Sequence, residues 1–159
     1  MKTASLKQVK EELYYKSDQE LVALCLRLIR FKKDNKELLS YLLFEMDDED
    51  AYIKGIQSKM DTEFEAINTD SYFYMRKSIR KILRQVKKYI RYSQKKETEV
   101  ELLIYFLDKL FNLKPSIFKS KTLTNLYHRN IIFIEKKIIS LHEDLQYDYQ
   151  LELEKFNLK

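Results

Sequence analysis

The sequence predicts an all-α protein, a single domain of six or seven antiparallel helices over residues 1–159. Two observations support this fold class. The 159 residues include one glycine and one proline, whereas sheets and hairpins need frequent turn residues with positive φ. The segment Tyr72–Tyr92 places its apolar and its cationic residues on opposite faces when it is projected as a helix. We therefore expect a helical bundle, or a short stack of α-hairpins, with a long C-terminal helical segment.

The first two helices are predicted from apolar spacing and from a capping box. Apolar residues at helical spacing predict a helix over Ser5–Tyr15. Ser17 and Glu20 have the spacing of a capping box, in which each side chain accepts the backbone N–H of the other residue. A second helix is expected from there to about Lys32, and its inward residues are expected to be Leu21, Leu24, Cys25, Leu28 and Phe31.

The third and fourth predicted helices differ in character. Asp34 is expected to cap the third, which continues through Leu38–Met46. Every residue of Leu38–Met46 except Ser40 and Glu45 is apolar, and a helix that is apolar on all sides is usually buried on several sides. The acidic residues 47–50 then favour the N-terminus of a fourth helix. Its apolar stripe is Ile53, Ile56, Met60, Phe64 and Ile67.

The fifth predicted helix, Tyr72–Tyr92, is expected to be the central helix on which the others pack. At about 100° per residue, its apolar side chains cover an arc of roughly 120° and its cations cover a separate arc of about 140°. Asp70 or Ser71 is expected to cap it. The predicted fold is therefore centred on this helix and on Leu38–Met46.

The residue pattern after Ser93 predicts one more helix, which ends near Leu113 because Pro115 follows. A long helical segment is predicted over 120–156. As one helix this segment would extend about 50 Å, compared with an expected radius of gyration of ~15 Å for the chain. It therefore bends, breaks or projects. We expect any break between His142 and Asp148, with 143–159 projecting or bent away.

Charge is unevenly distributed between two neighbouring segments. Residues 70–96 contain ten lysines and arginines and one acid, whereas residues 45–65 contain eight acids and two lysines. One interpretation is that the two segments pack as an antiparallel hairpin and partly neutralise each other. The other is a surface for a polyanion such as nucleic acid. Phe73 or Tyr92 could then stack on an unpaired base, and the phosphate-binding residues would be Arg76, Arg80, Arg84, Lys87 and Arg91.

No catalytic, metal-binding or cofactor-binding motif is found. His128 and His142 are not preceded by a glutamate three residues earlier, so the di-iron bundle signature is absent. A chain whose only glycine is Gly55 cannot form a glycine-rich phosphate loop. Cys25 is expected to be buried and inert. The sequence therefore predicts no catalytic residue, no metal and no cofactor, and a protein that is not an enzyme.

The location and role are predicted from what the sequence lacks. The N-terminus has no apolar signal region, and the longest apolar run, Leu102–Leu107, is too short to span a membrane. A cytoplasmic protein is expected. Its composition resembles that of many small bacterial helical proteins. We expect a non-enzymatic interaction or scaffold module that binds a protein partner or self-associates; the alternative is nucleic-acid binding through the basic face of the helix 72–92.

Overall fold

The computed structural model describes residues 2–156, and these residues contain eight α-helices and no strand. A π-helical turn, Tyr41–Glu45, and a 3₁₀ turn, Ile117–Lys119, lie between helices. The predicted all-α fold is confirmed. Residues 2–156 contain eight helices rather than six or seven, because the C-terminal segment breaks in two. The helices are α1 (Leu6–Tyr14), α2 (Asp18–Phe31), α3 (Lys33–Ser40), α4 (Glu49–Glu65), α5 (Tyr72–Ser93), α6 (Lys96–Asn112), α7 (Lys121–Ile138) and α8 (Glu143–Glu154).

The chain divides after Phe44 into two compact units. The N-terminal unit contains α1 to α3, and the C-terminal unit contains α4 to α8. The single domain expected over 1–159 stays a prediction. Residues 157–159, at the end of the expected C-terminal segment, lie outside the described residues.

Side-chain caps begin the first two helices of the N-terminal unit. The Ser17 backbone N–H donates to the Glu20 carboxylate at 2.8 Å, and the Glu20 N–H donates to the Ser17 hydroxyl at 3.3 Å. The predicted capping box is therefore confirmed. The Ser17 backbone N–H and the Ser17 hydroxyl both donate to the Glu20 carboxylate, and these two hydrogen bonds lower the pKa of Glu20. Ser5 and Gln8 form a second capping box. The predicted cap of α3 is wrong, since Asp34 lies in its first turn rather than before it.

Most apolar side chains of the N-terminal unit are exposed. In α2, Leu21 is half-buried but the other four residues that were expected to face inward are exposed, among them Leu28 at 58% and Phe31 at 86%. In Leu38–Met46, Tyr41 is buried, whereas Phe44 is 81% exposed. The prediction that the other four residues of α2 face inward is wrong, and so is the prediction that Leu38–Met46 is a centre of the fold. A helix that is apolar on all sides can bury only the sides that neighbours cover, and three short helices cover few.

The C-terminal unit is organised around α6. This helix contacts α4, α5, α7 and α8, whereas α5 packs mainly against α4 and α6. The prediction that the segment 72–92 is the central helix is therefore corrected. A helix whose cations occupy one side can be covered only on the other, while α6 has apolar residues around most of its circumference. Its buried residues are Thr98, Val100, Leu102, Leu103, Ile104, Phe106, Leu107 and Leu110.

The two helices before α6 follow the sequence pattern closely. Ser71 caps α5 by accepting the Tyr74 backbone N–H at 3.4 Å, and α5 ends where Gln94 adopts a left-handed conformation with φ 57°. Along α5 the buried apolar residues include Met75, Ile79, Ile82, Val86 and Ile90. All five residues of the predicted stripe of the fourth helix are also buried, and the last of them, Ile67, lies two residues beyond the end of α4. The predicted amphipathic arrangement of both helices is confirmed.

The C-terminal segment breaks earlier than predicted. Helix α7 ends at Ile138 and α8 begins at Glu143, so the turn precedes the expected range of 142–148. The Gln146 side-chain amide stabilises this turn by donating to the backbone carbonyl oxygens of Ile139 at 3.2 Å and Leu141 at 2.9 Å. Helix α8 packs against α6 and α7, and the Tyr127 hydroxyl donates to the Phe156 carbonyl oxygen at 2.8 Å. The described part of 143–159 is therefore bent back rather than projecting.

The Glu49 carboxylate connects three helices of the C-terminal unit. It accepts a hydrogen bond from the Thr98 hydroxyl at 2.6 Å and another from Ser93, and it pairs with the Lys95 ammonium at 3.0 Å. Thr98 is buried. One side chain at the start of α4 thus satisfies polar groups at the end of α5 and the start of α6.

We predict that Glu49→Ala lowers the free energy of unfolding by about 1–3 kcal/mol, because the buried Thr98 hydroxyl loses its acceptor. Urea denaturation followed by circular dichroism measures this. Asp47→Ala removes an exposed acid from the same acidic run and is expected to change stability by less than about 0.5 kcal/mol. Equal effects of the two substitutions would show that the Glu49 contacts do not stabilise the unit.

The carboxylate of Glu101, on α6, makes stability depend on pH. Burial raises the pKa of Glu101, and the nearby carboxylates of Asp50, Glu152 and Glu97 raise it further. The folded state therefore favours the protonated form. The stability that Glu101 contributes is fully present below its unfolded pKa, and is lost as the pH rises through its folded pKa.

We predict that Glu101→Gln raises the free energy of unfolding at pH 7, since a neutral amide avoids the cost of the ionised carboxylate. The difference from the unsubstituted protein should shrink as the pH falls and disappear below the ordinary glutamate pKa of 4.5. Thermal unfolding over a pH series measures it. Glu154→Gln, at an exposed position of α8, is the control. If Glu101→Gln raised the free energy of unfolding equally at all pH values, ionisation of Glu101 would not be the cause.

Candidate polyanion-binding surface

The five predicted phosphate-binding residues lie along the outward side of α5. Arg80, Arg84, Lys87 and Arg91 are exposed and Arg76 is half-buried. Their spacing of three or four residues keeps them on one side of the helix, and they extend over about 22 Å at 1.5 Å per residue. We call these five residues the α5 basic stripe.

No carboxylate of residues 2–156 forms an ion pair with any member of the α5 basic stripe. Two of the cations instead contact aromatic rings. The Arg76 guanidinium lies 5.6 Å from the centroid of the Phe73 ring, and the Lys87 ammonium lies 5.3 Å from the centroid of the Phe133 ring. Such contacts contribute little at exposed sites, so the stripe keeps its positive charge accessible.

Two acids of 45–65 pair with lysines outside the stripe. Glu49 pairs with Lys95, as described above, and Asp61 pairs with Lys109. The Tyr105 hydroxyl also donates to Asp61, at 2.7 Å. Partial burial alone would raise the pKa of Asp61, but the hydrogen bonds from Lys109 and Tyr105 lower it. Although α4 and α5 pack together, the acidic segment does not pair with the five stripe residues.

A groove runs between α5 and α7 beside the stripe. It consists of two adjoining depressions of about 490 and 600 Å³, and both are lined by Arg80, Leu83, Lys87 and Phe133. The first depression also contains Arg84, Arg91 and Glu99, and the second also contains Asn125 and Arg129. We call this the α5–α7 groove. Its α7 residues were not found from the sequence, because no pattern indicates that this face of α7 lies beside α5.

The two aromatic residues proposed from the sequence for base stacking have different surroundings. Phe73 is 61% exposed and contacts the Tyr74 ring edge-on, with centroids 5.5 Å apart. Tyr92 is buried, and its ring lies 6.1 Å from that of Tyr89. The prediction that Tyr92 could stack on a base is therefore wrong, since the last turn of α5 directs this ring inward.

The remaining reactive side chains are dispersed. Cys25 is exposed, so the prediction that it is buried is wrong. His142 lies at the start of α8, where its Nδ1 accepts the Asp144 backbone N–H at 3.4 Å. It borders a depression of about 470 Å³ that also contains Glu49 and Lys95, which pair with each other. Within residues 2–156, no group of three histidine, cysteine or acidic side chains is placed to hold a metal ion.

The helices of residues 2–156 include none with the length and apolar character needed to cross a bilayer. The distinctive surfaces of the molecule are thus the α5–α7 groove with its basic stripe and the exposed apolar residues of the N-terminal unit. Comparisons of the chain with protein-family models, with curated proteins and with solved structures found no match.

Proposed function

We propose that the protein is a non-enzymatic interaction module whose N-terminal unit binds an apolar helical surface of a protein partner. The observation that supports this proposal is the exposure of large apolar side chains on several sides of α2 and on the π-helical turn. Single exposed apolar residues are common on protein surfaces, but contiguous apolar surface typically marks an interaction site. The exposed residues are Val22, Leu24, Leu26, Leu28, Phe31, Leu42, Leu43 and Phe44.

The physical reason is the cost of keeping these side chains in water. A large apolar side chain gains roughly 1.5–3 kcal/mol when it is transferred from water into a packed interface. Helices that present apolar residues at several positions commonly bind by laying that face against another helix or into a groove. A second copy of the chain or a different protein could supply the matching surface, and the two are distinguished by the oligomeric state.

We predict that Leu28→Glu weakens this association at least about tenfold, because it places a charge in the desolvated contact. Size-exclusion chromatography with light scattering across a wide concentration range measures self-association. Affinity capture from lysate with quantitative mass spectrometry measures other partners. Ile132→Glu is the matched control, since Ile132 on α7 is 51% exposed and Leu28 is 58% exposed. A strict monomer whose captured proteins are the same with and without Leu28→Glu would contradict the proposal.

A second candidate function is polyanion binding through the α5 basic stripe. It is favoured by the absence of carboxylate partners for these five residues within 2–156, which leaves their charge available to phosphates. Arginine, which supplies four of the five, matches phosphate geometry with its planar guanidinium. Binding of this kind releases counterions and therefore weakens steeply as salt increases.

We predict that the full chain binds labelled nucleic acid at low salt. Arg80→Glu should make the slope of log affinity against log salt concentration shallower by about one, which is the contribution of one phosphate contact. Fluorescence anisotropy at a series of salt concentrations measures both. Lys54→Glu makes the same charge change on α4 at an exposed position, so it should leave the slope unchanged. Failure to bind either single-stranded or double-stranded polymer at low salt would remove this candidate.

A further inference from the structure

We propose that the α5–α7 groove is a binding site for single-stranded nucleic acid, with Phe133 as the surface on which one base stacks. This inference rests on the second candidate function above and deepens it, since it names the ligand class and adds residues of α7. The groove combines the two features that such sites require, which are cations that follow the backbone and an aromatic ring that stacks on a base.

The position of Phe133 would place a stacked base next to cations of the α5 basic stripe. Phe133 is half-buried. It lies at the junction of the two depressions, since it lines both of them. The junction also contains Arg80 and Lys87 of α5. A base on this ring would therefore have cations of the stripe beside it, where its own phosphate would lie.

Two lysines lie near the Phe133 ring, and they differ in their partners. The Lys87 ammonium lies 5.3 Å and the Lys137 ammonium 5.1 Å from the ring centroid. Lys137 is held by Glu99 at 2.8 Å, whereas Lys87 has no carboxylate partner among residues 2–156. Because a lysine stem is flexible, the Lys87 ammonium can leave the ring for a phosphate oxygen and expose the aromatic face. Lys137 would stay in place and offset the charge of Glu99.

The dimensions favour a single strand over a duplex. Each depression, at about 490 and 600 Å³, is in the size range that holds small ligands. An isolated nucleotide fits such a space, whereas a base inside a duplex is stacked between its neighbours and cannot reach Phe133. Cations on both walls, with Arg129 on α7 opposite the α5 basic stripe, would contact the backbone on either side of the stacked base.

The experiment compares ligands and variants of the full chain. Fluorescence anisotropy at about 50 mM salt measures labelled oligo(dT) and oligo(U) of about 12 nucleotides, a length within the range that single-strand-binding sites cover. A mixed-sequence duplex of equal length and phosphatidylserine vesicles are tested in parallel. Phe133→Leu removes the ring but keeps an apolar side chain, and Ile132→Leu is its matched control on the same helix. Circular dichroism and thermal unfolding verify that both variants are folded.

We expect tighter binding of the single strands than of the duplex, a loss of at least about fivefold with Phe133→Leu, and little change with Ile132→Leu. Preference for oligo(U) over oligo(dT) would identify RNA as the ligand, and the reverse would identify DNA. Equal binding of duplex and single strands without an effect of Phe133→Leu would overturn the groove site and leave the polyanion surface standing. Binding of vesicles alone, or of no ligand, would overturn both.

Discussion

Burial of α6 by its neighbours is the constraint on which the rest of the C-terminal unit depends. A helix with apolar residues around most of its circumference is stable in water only when other helices cover it, and α4, α5, α7 and α8 do so. Each covering helix has to contribute one apolar side. Its remaining side then faces water, and the charges of the unit are located on those outer sides.

This arrangement explains why the α5 basic stripe remains accessible. Residues such as Ile79 and Val86 turn toward the core, so the cations between them turn outward. Two carboxylates of α4 pair with lysines that do not belong to the stripe, Glu49 with Lys95 and Asp61 with Lys109. The position of α7 across the groove from α5 then adds Phe133 to a surface that would otherwise be only a row of charges. The groove is thus a consequence of how two amphipathic helices share one core.

The N-terminal unit has no comparable constraint. None of the residues in α1, α2 or α3 is buried, although nine of the 14 residues of α2 are apolar. Its local structure is nevertheless well specified, because the capping boxes at Ser5 and Ser17 fix where two helices begin. The contrast between well-specified helix starts and uncovered apolar surface is the physical basis for the proposal that this unit binds a partner.

The sequence by itself determined the all-α class, the bounds and orientation of α5, the buried stripe of α4 and the cap at Ser17, because these depend on residue spacing and on hydrogen bonds between near neighbours. It left Asp70 and Ser71 as alternative caps of α5, and the structure identifies Ser71 as the cap. Only the tertiary structure decided that α6 is central, that Leu28 and Phe44 are exposed, and that Phe133 lies beside Lys87. Periodicity shows which side of a helix is apolar, but whether that side is covered, and by which helix, depends on contacts between residues far apart in the chain.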